Sequence, residues 1–125
     1  MQMNNPFLYG LGVELASWVG GQAEFHMHIQ PQHLNRQGML HGGLIATLLD
    51  AACGYAGLHT PEHEEEVHAV TVMLNISYLS AVREGTVIAK GKVTRSGRSL
   101  YFSQGTVVSD QGELLATAQG TFKRR

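Results

Sequence analysis

The segment from Leu44 to Leu58 constrains the fold more than any other part of the chain. Its sequence, LIATLLDAACGYAGL, is dominated by good helix formers, and nearly every position is apolar or small. An α-helix that is apolar on all sides must be buried on all sides, so other elements have to surround it. A helix of about 15 residues is only about 22 Å long, and this one carries Asp50, so it is a poor membrane span. The sequence therefore predicts a helix at the centre of the fold.

Alternation of apolar and polar residues predicts two strands before this helix and four strands after it. Turn residues separate the later strands, and a short helical turn over Asn5 to Gly10, with Asn5 as its cap, precedes the first strand. Successive strands that are joined by short turns pair antiparallel. The predicted fold class is α+β, with a curved antiparallel sheet wrapped around the central helix. Five of the predicted strands cover residues 13–19, 23–29, 70–78, 86–93 and 114–123, and the remaining strand begins at residue 100.

Composition narrows the class of protein. The chain has 125 residues, which suit one domain (1–125) and are too few for two secure cores. Nine Lys and Arg against ten Asp and Glu give a net charge of −1, which is unlike a general nucleic-acid binder. One cysteine excludes an internal disulfide framework, and the first residues lack the pattern of a signal peptide. We expect a cytoplasmic single-domain protein that binds neither nucleic acid nor membrane.

Asp50 is the residue of the central helix that most needs an explanation. An unpaired buried carboxylate is costly, so proteins normally pair such a group or neutralise it. One interpretation is structural, with the carboxylate bonded to a neighbouring hydroxyl or backbone group. The other is functional, with the carboxylate held at an active site.

Gly42 and Gly43 lie where the predicted helix begins, directly after His41. The first N–H groups of a helix lack partners within the helix and lie at the positive end of its dipole. Because glycine has no side chain, a ligand oxygen can approach these donors closely. Such donors can stabilise the oxyanion that forms during acyl transfer.

The spacing between these two features has a consequence for assembly. Gly42 and Asp50 are eight residues apart, hence about 12 Å along the helix axis. A base or nucleophile and the oxyanion donors must both lie about 3 Å from the reacting atoms. Two such helices packed antiparallel would place the start of one beside the middle of the other. We therefore expect a two-fold homodimer with two composite sites.

The string HGGLIATLLD, with Asn35 six residues before its histidine, resembles the hotdog-fold acyl-CoA thioesterases of the phenylacetate-pathway (PaaI-type) branch. The resemblance extends over nearly the whole chain and includes VHAVTVMLNISYLSAVREG and the turn RSGRSLYF. It implies a hotdog fold and hydrolysis of an acyl-CoA thioester to a free acid and coenzyme A. It also implies that the enzyme needs no cofactor and no metal, and that dimers of this fold can pair into dimers of dimers.

The resemblance implies roles for individual residues. Asp50 matches the catalytic acid, which acts as nucleophile or as general base on water, and Gly42 matches the residue whose N–H polarises the thioester carbonyl. His41 and Asn35 match a polar pair that orients the thioester, and Thr71 matches a hydroxyl that positions the water or the carboxylate. The residues implied in substrate and coenzyme binding are Gly43, Arg95, Gly97, Arg98 and Ser99, with Arg83 as a further candidate.

Other functions stay open at this point. A hotdog hydratase or dehydratase acting on acyl thioesters is the first alternative, and a non-catalytic acyl-CoA-binding module is the second. His26 and His28 lie on one strand face but lack an evident third metal ligand. The acidic run Glu62 to Glu66, which contains His63 and follows His59, is either a solvated loop or a metal site. Cys53 is a small apolar residue of the buried helix or, less readily, a reactive thiol. The acyl pocket is expected to be lined by Met39, Leu40, Tyr55 and Leu58.

Overall fold

A computed structural model describes residues 4–62 and 64–125. Six strands form one antiparallel sheet, in the order β1-β2-β4-β5-β6-β3, which curves around the long helix α2. The predicted α+β architecture and the predicted number of strands are confirmed. The elements are α1 (Pro6–Gly10), β1 (Val13–Val19), β2 (Gln22–His28), a 3-10 turn (Pro31–His33), α2 (Gly42–Ala56), β3 (Ala69–Tyr78), β4 (Thr86–Ser96), β5 (Leu100–Ser109) and β6 (Leu114–Arg124).

The strand order differs from the expected one at β3. The predicted pairing of β3 with β4, its successor in the chain, is wrong. Instead β3 pairs with β6 at one edge of the sheet, and β4 pairs with β2. The link at residues 79–85 must therefore cross three strand spacings, about 14 Å. Seven extended residues reach about 23 Å, so a link of this length allows the crossing. Turn residues mark where a strand ends but do not specify which strand lies beside it.

Glycines let α2 lie directly on the sheet. Gly91 of β4 and Gly105 of β5 are opposite each other in the pairing of these two strands. A Cβ atom on Gly91 would lie 2.1 Å from the Ala52 carbonyl oxygen, and one on Gly105 would lie 2.7 Å from the Cys53 sulfur. Side chains at these two positions would therefore push the helix backbone away from the sheet.

We expect Gly91→Ala to lower the free energy of unfolding by about 3 kcal/mol, because the added Cβ overlaps the helix backbone. Gly20→Ala is the matched control, since a Cβ there meets nothing within 4 Å, and it should change stability by less than about 0.5 kcal/mol. Urea denaturation followed by circular dichroism measures both values. Equal stabilities for the two variants would contradict this account of the helix–sheet contact.

One face of α2 is not covered by the chain itself. Leu48, Leu49 and Ala52 are fully buried, whereas Gly43 is exposed and Thr47 and Asp50 are partly exposed. The prediction that α2 is buried on all sides is thus wrong within one chain, because the sheet covers only part of the helix circumference. None of the helices in the described part of the chain is long and apolar enough to cross a membrane.

The uncovered face of α2 continues onto β3, whose outer edge has no partner strand in the sheet. Val72 of this strand is 59% exposed and Met73 is 43% exposed. Exposed apolar side chains on an open strand edge are characteristic of surfaces that pair with another chain. We call the surface made of Gly43, Thr47 and Asp50 of α2 and the open edge of β3 the α2–β3 face.

Candidate active site

The start of α2 presents one free backbone donor. His41 precedes the helix as its N-cap, and its Nδ1 accepts a hydrogen bond from the Gly43 N–H at 2.9 Å. The N–H groups of Leu44 and Ile45 donate to the His41 carbonyl. The Gly42 N–H has no acceptor among the described residues. A single uncommitted donor at the positive end of the helix dipole therefore lies at Gly42.

Tyr78, at the end of β3, contacts the same glycine. Its hydroxyl donates a hydrogen bond to the Gly42 carbonyl at 2.8 Å, and a Cβ atom on Gly42 would lie 3.4 Å from its ring. From the sequence alone, Tyr78 is predicted only to be the last residue of a strand. A signal was nevertheless present, because Tyr78 belongs to the NISYL string that follows Thr71 on the same predicted strand.

Asn35 shapes the loop that leads into α2. Its side-chain oxygen accepts hydrogen bonds from the Gln37 N–H at 2.9 Å and the Met39 N–H at 3.1 Å. Arg83 supports this loop by donating to the Gln37 carbonyl at 3.0 Å. Asn35 and His41 line one open cavity of about 770 Å³, so the structure brings this predicted pair together.

His33 anchors the loop from inside the protein, a role that the sequence did not reveal. This histidine is buried, and its Nδ1 accepts a hydrogen bond from the Gln30 N–H while its Nε2 donates to the Leu11 carbonyl, both at 2.9 Å. These two bonds assign the tautomer with the proton on Nε2. The carbonyl of His33 accepts the His41 N–H, which fixes the residue before α2.

Asp50 and Thr71 form the second part of the site. The Thr71 hydroxyl donates to one carboxylate oxygen of Asp50 at 2.7 Å, and the other carboxylate oxygen has no hydrogen-bond donor among the described residues. Both side chains line a cavity of about 240 Å³ whose other walls are largely apolar and aromatic. The residues lining it are Asn5, Phe7, Leu8, Thr47, Asp50, Ala51, Gly54, Tyr55, Leu58, Ala69, Thr71, Tyr101 and Phe122.

This cavity contains only part of the expected acyl pocket. Tyr55 and Leu58 line it, as predicted. Met39 and Leu40 do not line it, and Leu40 is buried in the main core. The cavity instead flanks the second half of the helix.

The two parts of the site do not meet within one chain. The cavity beside Asn35 and His41 shares no lining residue with the cavity beside Asp50. This separation agrees with the spacing of about 12 Å between Gly42 and Asp50 along α2. One chain therefore presents the Asp50 carboxylate at one place and the free Gly42 N–H at another.

The turn between β4 and β5 lies near the C-terminal end of α2. Arg124 ties this turn to the sheet through its backbone N–H to the Ser99 carbonyl and through its guanidinium to the Gly97 carbonyl. The same guanidinium lies 4.5 Å from the centre of the Tyr101 ring. These contacts fix the backbone of the turn. The side chains of Arg98 in the turn and of Arg95 near the end of β4 face solvent.

Cys53 and the candidate metal ligands are two further groups whose surroundings the structure describes. Cys53 is fully buried, and burial, with a smaller contribution from the Asp50 charge, raises the pKa of its thiol to about 12. A thiol with this pKa is neutral at ordinary pH and unsuited to act as a nucleophile. Within residues 4–62 and 64–125 no three His, Cys, Asp or Glu side chains are arranged to hold a metal ion. His63, part of the acidic-loop alternative, lies outside the described residues.

The two candidate metal-binding histidines of β2 have other partners. His26 contacts the Glu24 carboxylate at 2.6 Å, and His28 contacts the Thr86 hydroxyl at 3.2 Å. Both histidine side chains therefore make polar contacts on the outer face of the sheet.

A long helix wrapped by one curved antiparallel sheet is the architecture of the hotdog fold. The model of the thioesterase superfamily matches residues 37–116, and the chain belongs to this family. The matched region begins just after Asn35 and ends in β6, so it includes His41, Gly42, Asp50 and Thr71.

Individual relatives agree with this assignment. Human acyl-coenzyme A thioesterase 13 is 32% identical over 111 residues, which cover 87% of this chain and 77% of that protein. Among solved structures, a conserved protein from Pseudomonas aeruginosa superposes with a TM-score of 0.88 at 28% identity, covering 98% of this chain and 96% of that one. The PaaI protein from the phenylacetic acid degradation operon of E. coli gives 0.85 at 26% identity, covering 98% and 86%.

Proposed function

We propose that the protein hydrolyses acyl-CoA thioesters to a free acid and coenzyme A, with Asp50 as nucleophile or general base. The observation that carries this proposal is the hydrogen bond from Thr71 to Asp50 at 2.7 Å. It fixes the carboxylate at the wall of a cavity and leaves the second carboxylate oxygen available for water or substrate. The human relative, named for acyl-coenzyme A thioesterase activity, supports this substrate class.

The chemistry follows from the two parts of the site. As a general base, Asp50 would take a proton from water as the water oxygen adds to the thioester carbonyl; as a nucleophile, its oxygen would add directly. Either addition places negative charge on the carbonyl oxygen. The Gly42 N–H, at the positive end of α2, would stabilise that charge. Collapse of the adduct breaks the carbon–sulfur bond and releases the coenzyme A thiolate. On the general-base route this step gives the free acid directly, and the proton held by Asp50 passes to the thiolate. On the nucleophile route the acyl group stays on Asp50 as a mixed anhydride, which water then hydrolyses to the free acid and the Asp50 carboxylate.

Both groups reach one carbonyl only if two chains contribute, so we include a homodimer in the proposal. The α2–β3 face, which is partly apolar and has no partner in one chain, is the surface that we assign to this contact. With two α2 helices antiparallel, Asp50 and Thr71 would face the partner subunit's Gly42. His41 and Asn35 would enter the site together with that glycine.

The other residues that the sequence predicts for substrate binding would surround the site formed by Asp50 and the partner subunit's Gly42. The acyl group would occupy the cavity of about 240 Å³ beside Asp50. The exposed turn with Arg95, Gly97, Arg98 and Ser99 would contact the anionic coenzyme. Because the Gly43 N–H is bonded to His41, Gly43 would contribute space for the substrate and not a further donor.

A panel of aliphatic and aryl acyl-CoA thioesters, assayed by release of free thiol, tests this function. We expect hydrolysis by the wild-type protein, fastest for acyl groups that fit a cavity of about 240 Å³. Long acyl chains should react more slowly, because the aromatic wall that includes Phe122 limits the cavity. Absence of thiol release above the uncatalysed rate across the whole panel would contradict the proposal.

A further inference from the structure

The strand β3 contacts α2 at two points that matter for the proposed chemistry. Thr71, near its start, donates to the Asp50 carboxylate, and Tyr78, at its end, donates to the Gly42 carbonyl. The first contact orients a reacting group. The second contact has no evident function in stabilising the core, because Tyr78 is 54% exposed.

The helix start has a specific need for such a contact. Two consecutive glycines begin α2, and glycine is both a weak helix former and free to adopt many backbone conformations. An oxyanion donor is effective only when its direction is fixed before charge develops on the substrate. The His41 carbonyl, which accepts the Leu44 and Ile45 N–H groups, restrains the peptide before Gly42, whereas the flexible Gly42–Gly43 peptide needs a restraint of its own.

Two side chains restrain this glycine pair without occupying its donor. The His41 ring accepts the Gly43 N–H, and the Tyr78 hydroxyl bonds the Gly42 carbonyl at 2.8 Å. The Tyr78 ring also lies over the face of Gly42 where a Cβ would be, 3.4 Å away. The Gly42–Gly43 peptide, which directly follows the Gly42 N–H, is thus hydrogen-bonded at both its carbonyl and its N–H, while the Gly42 N–H has no acceptor in the described part of the chain.

We propose that Tyr78 is a positioning residue whose hydroxyl holds the Gly42 backbone so that its N–H points at the thioester carbonyl oxygen. This inference rests on the proposed function of the site. Tyr78 acts through Gly42 and takes no proton from the substrate. Its contribution should therefore appear in the transition state, where charge on the carbonyl oxygen is largest.

Tyr78→Phe tests the inference, because it removes the hydroxyl and keeps the ring over Gly42. We expect kcat to fall about tenfold while KM stays within about twofold, since the loss is confined to the transition state. Tyr9→Phe is the matched control, because Tyr9 is 79% exposed and its hydroxyl makes no hydrogen bond in the described structure; it should leave kcat unchanged.

An infrared measurement separates positioning from a merely structural role. In an Asp50→Asn background, an acyl-CoA should bind without being hydrolysed, and the hydrogen bond from Gly42 should lower the stretching frequency of its thioester carbonyl. Adding Tyr78→Phe should reverse part of that shift, while the melting temperature and the dimer content stay those of Asp50→Asn alone.

The outcomes distinguish this inference from the function on which it rests. Wild-type activity together with an unchanged kcat in Tyr78→Phe would overturn the role of Tyr78 and leave the proposed function standing. The role of Tyr78 is overturned in the same way if kcat falls but the carbonyl frequency does not move, or if only KM rises. A wild-type protein that releases no thiol from any thioester would overturn the proposed function, and the Tyr78 inference with it.

Discussion

Asp50→Asn should lower the rate of thioester hydrolysis by about a thousandfold, because an amide can neither take a proton from water nor attack the carbonyl. The substitution is nearly isosteric, and the amide oxygen of asparagine can still accept the hydrogen bond from Thr71. The position is partly exposed, so the folded structure should tolerate it. Free-thiol release on the best substrate of the panel measures the loss.

A second carboxylate serves as the control for Asp50→Asn. Glu65, in the exposed loop after α2, is changed to glutamine, which removes one negative charge at a residue that lines neither cavity. Glu65→Gln should keep wild-type turnover, and both variants should keep the wild-type circular dichroism spectrum and oligomeric state. Turnover by Asp50→Asn within about tenfold of wild type would remove Asp50 from the catalytic role.

Mixing two inactive variants should restore about a quarter of the wild-type activity if the site is shared between subunits. One variant is Asp50→Ala and the other is Asn35→Ala. Random exchange makes about half of the dimers mixed, and each mixed dimer has one site with both residues intact and one site with neither. Thiol release, followed while the subunits exchange, measures the recovery.

The mixing experiment has its own controls. Each variant incubated alone should remain inactive, and two differently tagged chains show by co-purification that subunits have exchanged. If each chain formed a complete site by itself, mixed dimers would contain only damaged sites. Exchange without recovery would therefore contradict the composite site, while leaving the role of Asp50 to the single-variant measurement.

Most of the fold could be predicted from local pattern. The number of strands, and the first residue of each to within one position, follow from apolar alternation, while β4 extends to Ser96 beyond the predicted end at 93. The capped turn at Asn5 follows from its Asn-Pro start, which the structure confirms. Pairing could not be predicted in the same way, because a ladder of hydrogen bonds joins strands that are distant in the sequence. For this reason the edge position of β3 was missed, and with it the exposure of Val72 and Met73.

The site was predictable where chemistry and spacing lie within one segment. His41, Gly42 and Asp50 belong to one helix and its cap, and their separation is fixed by the rise of the helix. Residues that contact the site from outside α2 were harder to predict from the sequence. Thr71 was expected from a resemblance to known enzymes, while His33 and Tyr78 were not expected at all, because their contacts depend on how the loop and β3 pack on α2.

The sequence by itself determined that a short apolar helix must lie inside a sheet, and that its carboxylate and its free N–H donors are too far apart to act together. Helix geometry enforces that separation in any fold. Only the tertiary structure decided that β3 lies at the open edge, where Thr71 fixes Asp50, Tyr78 fixes Gly42, and one face of α2 remains uncovered. These features depend on which strands pair, and pairing is settled by the packing of the whole domain.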